Sequence, residues 1–470
     1  MIHNFGRNVS FEPAAVLTPR SEAEVLDILA RHRGRNIRAI GRLHSWSEAP
    51  RGDDVLLDLR ELKDVRTETR ADGVWATAGA GCQIKRLLTE LERQAKVTTP
   101  SLGLITEQAI AGAISTGTHG SGRHSLSHYM DEVRVATYDG AGEPVIRTIT
   151  AGPELRAARC SLGCLGVILS VGFRCRPAYR IEEHFARYAS LADVLAAEDV
   201  YPLQQFYLVP WLWEYYAQHR RETDAPRSRL AGLYSWYCFL NLDVGMHLGL
   251  MTLCRWVKSA ALTRWFFRCL VPATVIRGWR VVDRSQHLLI MEHELFRHIE
   301  TEIFVPRREL ADALDFFQRG LQHAGGDRDA FDVRWRERLE QRGLWNEVAA
   351  LAGRHVHHYP ICVRKVLPDD TLISMASGSD EPWYAISLVS YARPRERDGF
   401  FAVAQAFTDV LAALCGGRPH WGKHCPLSAA QAAAVYPRRA EFQRIAGEFD
   451  PQGVFRNRWA KNVLFDEPPA

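Results

Sequence analysis

The sequence predicts a mixed protein, an α+β or α/β amino-terminal unit followed by a second, α+β domain. Three observations carry this: the length, a helix–strand alternation across the first 175 residues, and a strand-then-helix order that occurs twice in the middle. At 470 residues the chain is too long for one ordinary core; roughly 100 to 200 residues per domain gives two or three.

In the first 175 residues, Pro19 and Ser21 precede an apolar helical pattern at Val25, Leu26, Ile28 and Leu29. Ser21 with Glu24 forms a capping box, and Gly34 is a natural stop. Strands are predicted at Ile37–Ile40, Val55–Leu59 and Val74–Ala78, then a helix over Gln83–Gln94. EVRVATYDGAGEPVIRTIT reads as two strands around a glycine-containing turn, and Gly166–Cys175 as another strand. From about 180 to 415, IEEHFARYASLADVLAAE gives a strand followed by a helix, and IETEIFVPRRELADALDFFQRGL at 299–321 repeats that order. Between them, from Tyr234 to Trp279, lies an aromatic and apolar stretch in which Arg255, Lys258, Arg264 and Arg268 recur every few residues. These charges leave no uninterrupted span of about 20 apolar residues, so an amphipathic helical pair packed on the protein is expected, with attachment to a membrane surface or a partner as the alternative. The last fifty residues carry HWGKHCP, a helical AAQAAAVYPRRAEFQRIAGEF and the turn-rich DPQGVFRNRW.

Composition excludes several classes. A hydrophobic fraction of 47% with 24% charged residues is that of a globular chain and rules out wholesale disorder. The net charge of +4 without a basic tract speaks against a nucleic-acid partner. Ten cysteines without CxxC pairs argue against a disulfide framework or a zinc ribbon and fit a reducing cytosol; MIHNFGRNVSFEP lacks the pattern of a secretory signal, so a cytoplasmic location is expected. His293, Glu294 and His298 miss HExxH by one residue, and His355, His357 and His358 lack a third ligand nearby, so no metal is expected.

Two glycine-rich loops stand out: Gly41-Arg42-Leu43-His44-Ser45-Trp46-Ser47 after the strand IRAI, and Gly112–Gly122 behind a short apolar helix. Close-approach glycines, serine and threonine hydroxyls and bare N–H groups suit a polyanion, and two such loops in one domain favour a dinucleotide cofactor. The Rossmann fingerprint is absent: Gly79-Ala80-Gly81 begins like one, but Ile84 stands at the third glycine.

GRLHSWS, TPSLGLITEQAIAGAISTGTHGSG, HWGKHCP and FDPQGVFRN together resemble the aldonolactone and alditol oxidases, flavoproteins of the vanillyl-alcohol-oxidase class. The resemblance implies a two-lobed FAD-binding domain over 1–177, an α+β cap or substrate domain over 178–418 with the apolar helical insertion near 230–282, and a segment 419–470 returning to the FAD domain. FAD would meet Ile40, Gly41, Arg42, Leu43, Ser45 and Ser47 in the first loop, Gly103 and Glu107 ahead of the second, and Gly112 at its start. Ser115, Thr116, Gly117, Thr118, His119 and Gly120 would help hold the pyrophosphate, and Gly163, Gly166 and Ile168 would meet the adenine or ribose. His44 falls where relatives attach the flavin covalently; TPSLGLITEQ has no cysteine, so a second covalent link is not expected.

On the substrate side, Arg364 matches the arginine of a Glu-x-Arg pair that faces the flavin, but Cys362 stands at the glutamate position, and Leu104 stands where alditol oxidases bind substrate through a serine. Lys423 matches a lysine beside the flavin, with His420 close by. Arg364 and Lys423 are therefore the expected catalytic residues, and the base is unassigned. Gly103 leans towards an oxidase, because a small residue there leaves room for dioxygen in the resembling family. The implied activity is hydride transfer from a CH–OH group of a sugar-derived lactone, polyol or cyclic polyhydroxylated compound to FAD, with oxygen reduced to hydrogen peroxide. The alternatives are a dehydrogenase with another acceptor, a biosynthetic enzyme acting on a secondary metabolite, and a non-catalytic flavin-binding protein. Oligomeric state is not legible.

Overall fold

A computed structural model describes residues 1–291 and 296–466. His293 and Glu294 of the near-miss motif lie outside the described residues.

The amino-terminal lobe has two sheets. A three-stranded parallel sheet orders Ala15–Leu17, Val55–Asp58 and Ile37–Ile40. The helix Glu22–Arg31 crosses between them, and its Ser21 hydroxyl accepts from the Glu24 N–H at 3.2 Å. The Glu24 carboxylate reaches back to Arg20 N–H rather than to Ser21, so the box closes one residue early. A five-stranded antiparallel sheet orders Pro144–Ile149, Glu132–Tyr138, Val167–Arg174, Gly73–Gly79 and Val65–Arg70. The helix Ile84–Ala95 lays Ile84, Leu87, Leu88 and Leu91 into the core beneath it, at the i, i+3, i+4, i+7 spacing of one helical face.

The second lobe is one eight-stranded antiparallel sheet, ordered Val281–Arg284, Arg180–Tyr188, Glu214–Thr223, Gln205–Val209, Ile361–Val366, Trp383–Ser390, Ile299–Pro306 and Arg418–Pro419. Helices Leu310–Ala324 and Asp398–Cys415 cover one face, where Phe316, Phe317 and Phe407 pack against strand residues such as Ile303, Val363 and Ile386. The other face points at the amino-terminal lobe, and residues two apart along each strand alternate between the two faces.

The last segment fastens the lobes. Asn36 Nδ2 donates to the carbonyls of Val454 and Arg456, and Asn457 Nδ2 to those of Glu48 and Arg51. The Arg38 guanidinium bridges the Phe455 and Leu162 carbonyls, both at 2.8 Å.

The apolar insertion is a helical hairpin. Its first helix runs unbroken over Ala231–Val257 through alternating α and wider π turns. Lys258 turns the chain in the left-handed conformation (φ 50°), and Ser259 caps a second helix that ends at Thr274. The expected interruption by charges begins only at Arg255. Upstream of it the helix carries a single charge, Asp243, and Ala231–Val257 is long and apolar enough to cross a membrane by length and composition. Asp398–Cys415 passes the same test but lies against the sheet core.

Candidate active site

Between the lobes lies a cavity of about 360 Å³. Its floor comes from the two glycine-rich loops. Ile40 through Trp46 line one side; Gly112, Ser115, Thr116, Thr118 and His119 line the other; Gly163, Gly166 and Ile168 close the far end. The loops cross so closely that a Cβ on Gly41 would stand 2.5 Å from that of Ala109, whereas one on Gly112 would meet nothing within 4 Å. Leu43 adopts a left-handed backbone (φ 54°), a conformation that costs a non-glycine residue about 1 kcal/mol or more and is held here by the Phe5 N–H bond to its carbonyl. That kink directs His44 into the cavity, where its ring stacks on Phe5 at 5.1 Å between centroids.

Five of the residues expected at the cofactor do not line the cavity. The Ser47 hydroxyl donates to the Trp421 carbonyl at 2.6 Å. Gly103 faces the Thr118 methyl, where an added Cβ would sit 2.6 Å away; its smallness serves packing and not an opening to the cavity. The Glu107 carbonyl accepts from Gln83. Gly117 (φ 72°) lies under Met375, and Gly120 abuts the Leu102 carbonyl.

The roof is the face of the eight-stranded sheet that looks at the amino-terminal lobe, and strand register explains its chemistry. Opposed residues form a row, Glu302–Ser387–Cys362–Tyr207–Tyr216, and all five line the cavity. The carboxylate missing at Cys362 is thus supplied in the same row, two strands away, by Glu302. Its side chain is wholly buried and pairs with Arg364, accepts from the Ser387 hydroxyl at 2.7 Å and lies 3.3 Å from His119 Nε2. Burial by itself would raise the Glu302 pKa, but the Arg364 guanidinium, helped by His119 and Lys423, holds it well below the usual carboxylate range. Burial pushes the Cys362 thiol up to about 12, so it is a neutral lining group. One row along, Glu300 meets Lys423 Nζ at 2.5 Å, and the same ammonium lies 4.5 Å over the Trp46 ring. His420 sits between the two pairs. Burial keeps it neutral, and its Nδ1 accepts from the Gly422 N–H at 2.9 Å, which leaves the proton on Nε2.

His119, Glu302 and His420 bring three ligand atoms within 4.8 Å of one another, but Glu302 is already committed to Arg364 and Ser387. Arg364 keeps one buried Nε without a hydrogen-bond partner, an unsatisfied donor at the point where the floor and roof meet. Leu104, Cys362, Arg364 and His420 all line the cavity. Sequence reasoning missed Glu300 and Glu302, although IETEIF carried the signal: two glutamates at i and i+2 of an otherwise apolar strand share one face.

Further along the cavity, apolar side chains join a second polar group of Glu183, Gln218, Arg220 and Asp243. Phe185, Val209, Val389, Leu288 and Met291 come from the cap, and Phe239, Leu242, Met246, Val271 and Val275 from the helical hairpin. The hairpin is tied down by the Tyr234 hydroxyl, which donates to Glu183 at 2.7 Å; Glu183 in turn pairs with Arg220 at 2.5 Å.

A two-lobed fold with crossing glycine-rich loops under a polar sheet face is that of the vanillyl-alcohol-oxidase class of FAD proteins, and comparison agrees. Residues 13–142 match the FAD binding domain, and residues 171–463 match the family described as D-arabinono-1,4-lactone oxidase. The chain belongs to that family. It is 54% identical to a long-chain alcohol oxidase of an uncultured marine euryarchaeote, over 98% of this chain and 96% of the relative. It is 28% identical to an L-gulono-1,4-lactone dehydrogenase of Mycobacterium tuberculosis, over 96% of each chain. A cholesterol oxidase from B. sterolicum shares the fold with a TM-score of 0.73 at 16% identity, over 98% of this chain and 96% of that one. The protein is an FAD-dependent oxidoreductase acting on CH–OH donors. The cavity fits that cofactor: the open face at Gly112, the hydroxyls of Ser115 and Thr116 and the unsatisfied Arg364 Nε are what a long polar ligand would fill.

Proposed function

We propose that this chain is an oxidase of long-chain aliphatic alcohols, with FAD tethered through His44 and oxygen as the electron acceptor. The observation that carries the reading is the apolar wall that Phe239, Leu242, Met246, Val271 and Val275 of the hairpin add to the cavity, beside polar groups such as Glu183 and Arg220 that already satisfy one another. A polyol or sugar lactone presents several hydroxyls, each of which needs a partner when buried, at a cost of about 1–3 kcal/mol if it finds none. An alkyl chain needs none. The name of the 54% identical relative points the same way, as do Cys362 and Leu104 in place of the polar residues of sugar-alcohol enzymes.

Bound FAD supplies the hydride acceptor for the carbinol carbon. The protein's part is position and charge. Arg364, fixed by Glu302, and Lys423, fixed by Glu300, set two cations where negative charge develops on the substrate oxygen. The hydroxyl proton passes to the Glu300 carboxylate, which leaves the Lys423 ammonium to face the alkoxide, while neutral His420 donates from Nε2 to the same oxygen. Cys362 packs without titrating. The apolar walls exclude water. His44 would hold the cofactor from the strained first loop, where its stacking on Phe5 fixes the ring in one orientation. Ten free thiols support a reducing, cytoplasmic setting.

A panel of primary alcohols from butanol to hexadecanol, set against gulono-1,4-lactone and xylitol, tests the reading under air with peroxide detection. Each buried methylene is worth about 0.8 kcal/mol, so kcat/KM should climb about fourfold per carbon, or about fifteenfold per carbon pair, until the cavity is filled. Preference for the lactone or the polyol would refute the substrate. Turnover with a dye but no peroxide would refute the acceptor.

A further inference from the structure

We propose that the helical hairpin of residues 231–274 docks the protein onto an anionic lipid bilayer as a monotopic anchor, so that the wall of the cavity is also the membrane-facing surface. The first helix is apolar on both sides. Tyr234, Cys238, Leu242 and Met246, spaced by four, line the cavity. On the other side Leu233, Trp236, Leu240 and Leu248 face outward, and Trp256, Leu262, Trp265 and Leu270 continue the surface across the hairpin; Trp236 is 62% and Trp256 76% exposed. A helix that is apolar all round is stable when buried in protein or lipid, and a contiguous exposed surface of this kind marks a docking site.

Charge selects the occupant. From Arg227 to Arg280 the chain has eight arginines and lysines and one acid, Asp243, which lines the cavity. Arg229, Arg268 and Arg277 are exposed around the apolar area, Lys258 and Arg280 are exposed but paired with Glu396 and Glu182, and Arg393 stacks on Trp256 at 5.1 Å. Tryptophans flanked by cations are the composition of an interfacial segment on anionic headgroups. A membrane crossing does not fit, although the first helix is long enough. Tyr234 is bonded to Glu183, Leu250 is fully buried, His247 stacks on Phe296, and both ends of the hairpin return to the sheet through the Arg227–Asp283 ion pair and the Phe185–Arg277 bridge. The hairpin therefore lies flat, and one helix diameter, about 10 Å, separates lipid from the cavity. This proposal rests on the long-chain alcohol reading only for what passes from the bilayer; the docking itself does not need it.

The test is flotation of the yellow holoenzyme with phosphatidylcholine vesicles, with and without phosphatidylglycerol. Flotation should be at least about tenfold stronger on the anionic vesicles at low salt and should fall as salt rises. Trp236→Glu and Trp256→Glu, both away from the cavity, should each cut it about tenfold, leave turnover of soluble butanol unchanged and slow turnover of vesicle-borne hexadecanol. Wild type that floats with neither vesicle, or variants that float like wild type, would overturn the proposal. A dimer that Trp236→Glu dissociates, with no vesicle binding, would overturn it in favour of a second copy as occupant. Vesicle binding without oxidation of any alcohol would uphold the docking and refute the substrate reading alone.

Discussion

Replacing Glu302 by Gln removes one charge and keeps the shape. The carboxylate is wholly buried and is the direct ion-pair partner of Arg364, itself only 5% exposed. Breaking a buried pair from one side costs about 3–5 kcal/mol, because the remaining charge is stranded. Glu300 also acts on Arg364 through space and Gln keeps the Ser387 contact, so the lower end applies, about 3 kcal/mol. For a domain the size of the cap, at about 2 °C per kcal/mol, the apparent melting temperature of the holoenzyme should drop by about 6 °C at pH 7. The sign with pH follows from the direction of the shift. The folded Glu302 pKa lies below its unfolded value of about 4.3, so its contribution is complete above that value and disappears as pH falls through the folded pKa. The gap between wild type and variant should be flat from pH 8 to about 5 and narrow only below about pH 4. Adding Arg364→Met should restore much of the lost stability while abolishing turnover, because no stranded charge remains. A single variant within about 0.5 kcal/mol of wild type at pH 7 would refute the reasoning, as would a double variant whose losses simply add.

The remaining predictions concern single positions. Wild type should keep its yellow colour on acid-precipitated polypeptide, and His44→Ala should release it; free flavin from wild type would remove the covalent link. Lys423→Met should slow flavin reduction in stopped flow by about 10²-fold, the loss typical of one oxyanion donor; an unchanged rate would exclude the ammonium from the reaction. Gly103→Ala forces a Cβ to within 2.6 Å of the Thr118 methyl and should lower stability by about 1–3 kcal/mol, with Thr118→Ser restoring it. Reoxidation by oxygen should change little; selective loss of oxygen reactivity would return Gly103 to the role the resemblance implied. With its pKa at about 12, Cys362 should resist iodoacetamide at pH 8 in the folded holoenzyme, while exposed Cys269 reacts, as read by peptide mass. Rapid labelling of Cys362 would contradict its burial.

The sequence by itself determined whatever depends on local pattern. The helix at Glu22–Arg31, the strand Ile37–Ile40 and the hairpin Glu132–Ile149 follow from periodicity, caps and turn residues, and the two glycine-rich loops announced a long polar ligand before any strand was placed. Tertiary structure decided what depends on register between distant strands. Glu302 and Cys362 are sixty residues apart in sequence and share one row only because Ser387 lies between them in the sheet, so a row that reads as having lost its carboxylate at Cys362 still carries one. Gly103 shows the converse: a glycine tied to oxygen access by resemblance is small because a methyl from another loop presses on it. The long apolar helix was hidden by the arginines at its far end, and only its docking on the sheet shows that one face walls the cavity while the other is left bare. Hydrogen bonds and side-chain periodicity act within a few residues and can be read in order along the chain. Charge pairing, packing and burial act between neighbours in space, and the fold alone chooses those neighbours.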